Sequence, residues 1–345
     1  MSALHTLFGI DLPVLQAPMA GVQTHTLAVA VSEAGGLGAL PCALLSPSQL
    51  RDELQALRAA TQRPFNVNFF CHTPPVPDEA RERAWRQALA PYYAEFDLDP
   101  TAVPAGPGRA PFSAEAAQLL ADIRPAVVSF HFGLPQEALL APLRSWGAKI
   151  IASATTVDEA RWLAARGVDA VIAQGVEAGG HRGMFLTDDV STQVGTLALV
   201  RQITKAIDTP VIAAGGIADA AAVRAVLAAG AVAAQVGTAY LLCPEATTSA
   251  VHRAALQAET ARHTALTRLF TGRPARGIVN RLMRELGPMN PAAPAFPLAT
   301  AVIAPLRAAA ERQGRGDFSP LWAGQDTSGC CERPAAELTR ALARV

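Results

Sequence analysis

The sequence lacks the features that mark membrane, secreted and nucleic-acid-binding proteins. No apolar run reaches the roughly 18–20 residues of a membrane-spanning helix, and the first residues, MSALHTLFGIDLP, have no signal-peptide anatomy. Charged residues make up only 17% of the chain, and 29 Lys and Arg balance 29 Asp and Glu. A net charge of zero favours neither a nucleic-acid surface nor a polybasic membrane patch. We therefore expect a soluble, cytoplasmic protein with no nucleic-acid or membrane partner.

Cysteine is scarce, and the common catalytic motifs are absent. The chain has five cysteines, an odd number without metal-type spacing, which is typical of reduced thiols. It has no GxSxG, HExxH, Walker or CxxC motif, so hydrolase and zinc-enzyme hypotheses lose their usual evidence. We predict no metal site.

Half of the 345 residues are hydrophobic, and they fall into short apolar runs separated by longer Ala- and Leu-rich segments. The runs are continuous rather than alternating, which is typical of parallel strands covered on both faces. Eight runs have strand length: 13–19, 36–41, 65–70, 126–132, 148–154, 170–175, 210–216 and 232–238. Helix candidates lie between most of them, for example 156–167 and 218–230, which open at Thr156 and Asp219 and close at a glycine.

Eight strands with intervening helices predict an α/β protein of the (β/α)8 TIM-barrel type. The alternative is an open, doubly wound sheet. The barrel is favoured because polar or glycine residues recur where the strands end and would converge on one rim. These residues are Gln16, Asn68, His131, Gln174, Gly216 and Gly237.

Two segments exceed a minimal barrel. Residues 72–125 begin Pro-rich, continue as a helix around 78–95 and end in a Pro/Gly loop, and residues 241–345 form helices after the last strand. We predict that both contribute to a smaller helical cap. The barrel itself would comprise residues 1–71 and 126–240.

Glycine turns follow the last two strands, at Gly215–Gly216 and at Gly237–Thr238. In a barrel, these loops are a common phosphate site, where backbone N–H groups and a helix start face the anion. Thr238 can add a hydroxyl donor. The alternative is that both are only tight turns.

Other residues near the same rim suit a flat, polar heterocycle. Pro18 and Met19 place backbone beside a ring, while Asn66 and Asn68 share one strand face. Gln174 is a further amide at a strand end. Alternatively, these amides bind neighbouring backbone.

The segment EAGGHRG, residues 177–183, surrounds one titratable ring with glycines. Glycine permits close approach of a ligand, and an imidazole can donate or accept a proton near neutral pH. We predict that His181 is catalytic. His131, at the end of the fourth strand, would face the same substrate.

For the other charged and imidazole side chains, the sequence gives weaker evidence of a functional role. We expect Glu177 and Arg182 to make local hydrogen bonds or to be solvated. Arg273 and Arg276 in TGRPARG could attract an anion, but solvated charge is the commoner outcome. His5, His25, His72, His252 and His263 lack a setting like that of His181.

Together these motifs resemble the nitronate monooxygenases, formerly called 2-nitropropane dioxygenases, and most closely their class I bacterial branch. The resemblance runs from about residue 7 to 326. The segments that carry it are LQAPMAG, FNVNFF, SFHFGLP, AQGVEAGGHRGMF, VIAAGGIAD, QVGTAY and DFSPLWAGQ.

The resemblance implies a (β/α)8 barrel with a small extra domain and non-covalently bound FMN. By motif, it implies that His181 is the active-site histidine and His131 a second histidine near the substrate. It implies a set of FMN contacts: Ala17, Pro18, Met19, Asn68, Gln174, Gly179, Gly180, Gly215, Gly216, Gln235, Val236, Gly237 and Thr238.

The implied reaction is oxidation of an alkyl nitronate, such as propionate 3-nitronate, by O2 to a carbonyl compound and nitrite. His181 would either stabilise the nitronate anion when protonated or remove the α-proton of a nitroalkane when neutral. Related barrels give the alternative of an NAD(P)H-dependent FMN reductase acting on enoyl thioesters or quinones, although the chain has no dinucleotide fingerprint. A non-catalytic flavin-binding barrel is a third hypothesis, and a homodimer stays open.

Overall fold

The computed structural model describes residues 3–100 and 109–344. The strands of these residues are β1 (Val14–Gln16), β2 (Gly38–Pro41), β3 (Phe65–Phe70), β4 (Val127–His131), β5 (Lys149–Ala154), β6 (Ala170–Gln174), β7 (Gly180–His181), β8 (Val211–Ala214), β9 (Ala233–Val236), β10 (Thr264–Thr267) and β11 (Ala275–Ile278). Eight of them form one parallel sheet in the order β1-β9-β8-β6-β5-β4-β3-β2. A parallel bridge between Leu15 and Leu37 joins its two ends, so the sheet closes into a barrel.

The continuous apolar runs explain this sheet, because both faces of each strand are covered. One set of side chains fills the barrel interior, including Leu15, Ile151 and Ile212. The alternate set, including Val67, Val128 and Val171, packs against the surrounding helices. The barrel prediction is confirmed, and the open-sheet alternative is wrong.

The α-helices of the described residues are α1 (Ala3–Phe8), α2 (His25–Glu33), α3 (Pro47–Ala60), α4 (Glu79–Glu95), α5 (Ala114–Ile123), α6 (Glu137–Ser145), α7 (Val157–Ala164), α8 (Thr196–Ala206), α9 (Ala220–Ala228), α10 (Ala250–Gln257), α11 (Arg281–Leu286), α12 (Ala299–Arg312) and α13 (Ala335–Leu342). Thr156 and Asp219 cap α7 and α9 through their side-chain oxygens, as predicted.

Among the described residues, eight helices surround the barrel: α2, α3, α5, α6, α7, α8, α9 and α13. The helix that follows the eighth barrel strand in space comes from the end of the chain, because α13 packs between α2 and α9. Helix α5, within the predicted insertion, packs between α3 and α6 and so belongs to this outer layer.

A second hydrophobic core lies beside the barrel. Trp85, Leu89 and Tyr93 of α4 pack against Val302 and Leu306 of α12. The Tyr93 hydroxyl donates a hydrogen bond of 2.6 Å to the backbone oxygen of Val302. The two segments predicted as a cap thus share a core, while the domain boundaries given above stay a prediction.

A small antiparallel sheet connects the glycine-rich loop to the C-terminal region. Strand β7, which contains His181, pairs with β11, and β11 pairs with β10. Among the described residues, no helix is both long and apolar enough to cross a membrane.

Candidate active site

A cavity of about 1450 Å³, including its opening to solvent, lies at the carboxyl ends of the barrel strands. It brings together nearly all of the residues predicted from the sequence. Those that line it are Ala17, Pro18, Met19, Asn68, His131, Gln174, Gly179, Gly180, His181, Gly215, Gly216, Gln235, Gly237 and Thr238. Val236 does not, because its side chain packs in the layer between barrel and helices.

The two predicted glycine turns form one end of this cavity. Gly215 and Gly216 have φ angles of +125° and +66°, which side-chain-bearing residues rarely adopt. Gly237 directly precedes a short 3-10 helix, Thr238–Leu242. This end therefore presents backbone N–H groups and a helix start to the cavity, as an anion site requires.

The segment DFSPLWAGQ fastens this end of the cavity to the glycine-rich loop. The Gly324 N–H donates to Oγ1 of Thr238 at 2.9 Å, and the Gln325 N–H donates to the backbone oxygen of Glu177 at 2.9 Å. A Cβ added at Gly179 would lie 2.6 Å from the backbone of Ala323 and Gly324. Gly179 thus permits the close packing of two loops far apart in sequence.

The amides on the barrel strands have protein partners, which for Asn66 and Asn68 include a side-chain hydroxyl as well as neighbouring backbone. Nδ2 of Asn68 donates to Oγ of Ser129 at 2.9 Å, and Nδ2 of Asn66 donates to the same oxygen at 2.8 Å. Only Asn68 of the pair lines the cavity, and Oδ1 of Asn66 is buried without a partner. Gln16 lies below the cavity, where its Nε2 donates to Oε1 of Gln23 at 2.7 Å.

Gln174 holds the loop that carries His181. Its Nε2 donates to the His181 backbone oxygen at 2.9 Å, and its Oε1 accepts from the Gly183 N–H at 2.7 Å. Arg182, fully buried, donates to the backbone oxygens of Gln174 and Gly175 at 2.7 and 2.8 Å. Glu177 accepts from the Thr196 N–H and hydroxyl. Arg182 and Glu177 thus make the local hydrogen bonds expected of them.

The His181 imidazole is enclosed by aromatic rings except where it faces the cavity. The ring centroids of Phe296 and Trp322 lie 5.4 and 5.5 Å from its own. Its Nε2 lies 2.9 Å from Oγ1 of Thr271, and Nδ1 has no hydrogen-bond partner among the described residues. Burial, with the nearby charges of Arg109 and Arg273, lowers the pKa of His181 well below 6.5.

His131 supports the loop from below. Its Nδ1 lies 3.0 Å from Oγ of Ser153, and its Nε2 lies 3.1 Å from the backbone oxygen of His181. Burial lowers the pKa of His131 to about 3, so its ring is neutral at physiological pH. Both ring nitrogens are engaged with protein groups.

The cavity also contains basic residues to which the sequence analysis gave no role. Arg109, from the predicted insertion, and His252, from α10, both line it. His72 lies next to Phe296, with ring centroids 4.8 Å apart, and burial lowers its pKa to about 4. His72 follows β3 by two residues, so the strand-end rule could have found it. Arg109 lies in a Pro/Gly loop with no such pattern.

Arg273 and Arg276 are not solvated, contrary to the expectation above. Arg276 is buried, and its Nε donates to the Val176 backbone oxygen at 2.8 Å. The Arg273 guanidinium stacks 4.0 Å from the Phe132 ring and donates to the Met184 backbone oxygen. Their sequence neighbours gave no indication of burial, because the contacts come from the segments that follow β4 and β6.

The cavity is poor in carboxylates. Among the lining residues that the structure describes, Asp326 is the one carboxylate, and it is exposed. The described residues contain no group of three His, Cys, Asp or Glu side chains suited to a metal ion. The arrangement suits anionic ligands at both ends of the cavity.

A closed (β/α)8 barrel with a glycine-lined anion site beside an enclosed histidine defines the class of barrel enzymes that hold a phosphate-bearing cofactor at the strand ends. The chain belongs to the nitronate monooxygenase family, whose model matches residues 1–344. The predicted family resemblance is confirmed.

Individual relatives agree with this assignment. The chain is 44% identical to a nitronate monooxygenase of Pseudomonas aeruginosa, covering 97% of this chain and 96% of that protein. A nitroalkane oxidase structure from Streptomyces ansochromogenes has 43% identity and a TM-score of 0.89, covering 99% of this chain and 97% of that one. A FabK structure from Thermotoga maritima has 27% identity and a TM-score of 0.73, with coverage of 99% and 94%.

FMN is the cofactor of this family, and the cavity residues fit it. The glycine turns provide backbone donors for a phosphate, and Met19, Pro18 and the barrel amides border the middle of the cavity. Gly180, at φ +70°, lines the cavity, and a Cβ built there would meet no atom within 4 Å. A side chain at this position would therefore take up space that a cofactor needs.

Proposed function

We propose that the protein uses FMN and O2 to oxidise alkyl nitronates, such as propionate 3-nitronate, to a carbonyl compound and nitrite. The observation that carries this proposal is the carboxylate-poor cavity around His181, which the Arg109 side chain also lines. A nitronate is an anion, and a site with arginine and imidazole groups but no buried acid favours it over neutral or cationic substrates. Membership of the nitronate monooxygenase family supports the same reaction.

The cofactor contacts follow from the positions around the cavity. Gly215, Gly216, Gly237 and Thr238 would hold the FMN phosphate. The remaining predicted contacts would border its ring and chain: Ala17, Pro18, Met19, Asn68, Gln174, Gly179, Gly180, Gln235 and, through its backbone, Val236. Bound FMN would supply the electron acceptor for the nitronate.

His181 would handle the proton. The Thr271 hydroxyl lies 3.5 Å from the Arg273 backbone oxygen and can donate to it, so it accepts from Nε2–H of His181. This tautomer leaves the lone pair on Nδ1, the nitrogen without a protein partner. Neutral Nδ1 can take the α-proton of a nitroalkane, and the resulting Nδ1–H donates to the nitronate oxygen.

A nitronate that enters directly reaches the same ion pair by another route. Its negative charge favours the protonated imidazole, so the site takes up a proton from solvent on binding. Proton removal by neutral His181 and stabilisation of the nitronate by protonated His181 are then successive states of the same side chain. His131, with both nitrogens engaged, would position the His181 backbone rather than touch the proton.

The test is the absorption spectrum of the purified protein, followed by oxygen uptake and nitrite release with propionate 3-nitronate. We expect a flavin spectrum and nitrite formation that depends on O2. A colourless protein that does not bind added FMN would contradict the proposal. Yellow protein without nitrite release would favour the non-catalytic flavin-binding hypothesis.

The second candidate is an NAD(P)H-dependent FMN reductase, favoured by the likeness to the FabK structure. Anaerobic mixing with NADH and with NADPH separates the two. Rapid bleaching of the flavin would support the reductase, while a slow or absent response supports nitronate oxidation. The cytoplasmic location and a homodimer stay predictions.

A further inference from the structure

Four aromatic rings of the described residues lie next to the His181 imidazole, and one of them carries a hydrogen-bond donor. The ring centroids of Phe296 and Trp322 lie 5.4 and 5.5 Å from that of His181. Those of Phe132 and Phe70 lie 6.1 and 6.2 Å away. A phenylalanine ring has no N–H or O–H group, whereas the indole of tryptophan has one N–H. Trp322 is therefore the neighbouring ring that can donate a hydrogen bond to a ligand.

The indole N–H of Trp322 is available to such a ligand. Trp322 lines the cavity, and its Nε1 donates to no group of the residues that the structure describes. Nε1 of Trp85 is enclosed by protein atoms without a partner, whereas Nε1 of Trp322 is not enclosed. The Cε3 edge of the Trp322 indole packs toward Gly277, where an added Cβ would lie 3.1 Å from Cε3. Nε1 is on the opposite edge of the ring system, which this strand does not cover.

Backbone contacts hold Trp322 in place. Its backbone oxygen lies 3.1 Å from Nε2 of His252, and its N–H donates to the Pro320 backbone oxygen at 2.8 Å. An antiparallel bridge also joins Trp322 to Gly277 of β11. A donor that is fixed in advance needs no reorganisation when charge develops beside it.

Proton removal from a nitroalkane requires a donor other than His181. When neutral Nδ1 takes the α-proton, the C–H bond breaks, its electron pair forms the C=N bond, and negative charge moves onto the two nitro oxygens. During this step Nδ1 faces the carbon, and Nε2 is hydrogen bonded to Thr271. Neither ring nitrogen can then donate to the nitro group. Catalysis therefore depends on another group that stabilises the charge on these oxygens.

We propose that Trp322 is a catalytic residue whose indole N–H donates to a nitro oxygen of the substrate while His181 removes the α-proton. After the transfer, the indole keeps its hydrogen bond to the nitronate, and Nδ1–H of His181 donates to the other oxygen. The two rings together recognise the nitro group itself, whatever carbon chain it carries. This proposal rests on the function proposed above.

The test is Trp322→Phe, which keeps an aromatic ring in the cavity wall and removes the N–H. With nitroethane, the kcat for reduction of the flavin in the holoenzyme should fall roughly tenfold to a hundredfold, because a donor to the developing charge is lost. With ethyl nitronate the loss should be smaller and mainly in KM, because the charge is already present on the free substrate. Anaerobic stopped-flow absorbance of the flavin measures both reactions.

A binding measurement tests the hydrogen bond without turnover. Nitrite has two oxygens that share one negative charge, as the nitro group of a nitronate does, and its binding can be followed by the change in the flavin spectrum. The Kd for nitrite should rise about tenfold in Trp322→Phe. The matched control is Trp162→Phe on α7, where the ring stacks with Arg166, and it should change neither the Kd nor the rates. The flavin content of each variant is measured to show that the fold is intact.

The outcomes separate this proposal from the function itself. Unchanged rates or an unchanged nitrite Kd in Trp322→Phe would overturn the role of the indole, as would equal losses of rate with nitroethane and ethyl nitronate. Losses of the same size in Trp162→Phe would also overturn it. A wild-type holoenzyme whose flavin is reduced by neither substrate would instead contradict the proposed function.

Discussion

At the scale of single residues, His181 combines an anchored nitrogen with a free one. Thr271 holds Nε2, and the aromatic enclosure lowers the pKa of the ring, so that Nδ1 is available as a base. The hydrogen bond to one ring nitrogen fixes the tautomer and the orientation of the imidazole, so that the other nitrogen is the one that reacts.

The variant His181→Ala tests whether this imidazole acts as a base. With a neutral nitroalkane, the rate of flavin reduction should fall by about 10²–10⁴, the usual contribution of general base catalysis. With the preformed nitronate the loss should be smaller, because no proton has to be removed. Single-turnover reduction followed by stopped-flow absorbance measures both. Equal losses of rate with the two substrates would contradict the role of His181 as a base. Unchanged rates with both substrates would show that His181 takes no part in the mechanism. The control is His263→Ala, at an exposed position.

Sequence reasoning found the residues that follow strands and missed those that approach from elsewhere. His181 and the glycine turns could be located because strand ends converge in any parallel barrel. Arg109 reaches the cavity from the predicted insertion, and Phe296 packs near His181 from the C-terminal region; no periodic pattern fixes the position of either. The roles of individual cofactor contacts, Val236 among them, stay predictions.

At the scale of elements, the loop 175–184 is shaped by hydrogen bonds to backbone rather than by packing. Arg182 is the centre of this network, since it reaches two strand-end carbonyls and Oε1 of Gln193 at 2.9 Å. Burial lowers the pKa of Arg182 to about 9, which leaves it charged at neutral pH. Its charge is thus used to fix the loop that presents His181.

Replacing Arg182 by Met should therefore destabilise the protein. Two buried carbonyl oxygens and an amide oxygen lose their donor, which should lower the free energy of unfolding by about 2–5 kcal/mol. Urea denaturation of the holoenzyme measures the change. Arg161→Met, which removes an exposed arginine on α7, should leave stability unchanged. A similar loss in both variants would mean that burial of the charge is not the cause.

The strands and helix caps could be predicted from local pattern, but the sheet of β7, β10 and β11 could not. A two-residue strand such as Gly180–His181 exists only because Ala275–Ile278 lies beside it, about ninety positions later. The pairing strand, β11, begins within the segment TGRPARG, whose sequence is typical of a solvated turn. The same limit applies to α13, whose place in the barrel wall is set by tertiary packing.

At the scale of the whole molecule, four imidazoles are held neutral around one cavity. Burial lowers the pKa of His72 and His252 to about 4 and that of His131 to about 3. It also lowers the pKa of His181 well below 6.5. In the unfolded chain these groups would titrate near 6.5. Below that pH the unfolded state binds more protons than the folded one, so acid favours unfolding.

The free energy of unfolding should accordingly fall as the pH is lowered from about 6.5 to 4. Each imidazole contributes up to about 1.4 kcal/mol per pH unit in this interval, and the stability is fully present above pH 6.5. Urea titrations of the holoenzyme at several pH values measure the slope. His252→Gln, which keeps a donor for the Trp322 backbone oxygen, should reduce the slope by one proton's share. A slope unchanged in this variant would contradict the assignment.

The position of α13 has a consequence for the order in which the molecule can form. Because α13 fills the gap between α2 and α9, the wall beside the first strand stays uncovered until this helix, roughly a hundred residues after β9, has been synthesised. The nascent polypeptide must then keep an apolar flank shielded until α13 docks against it.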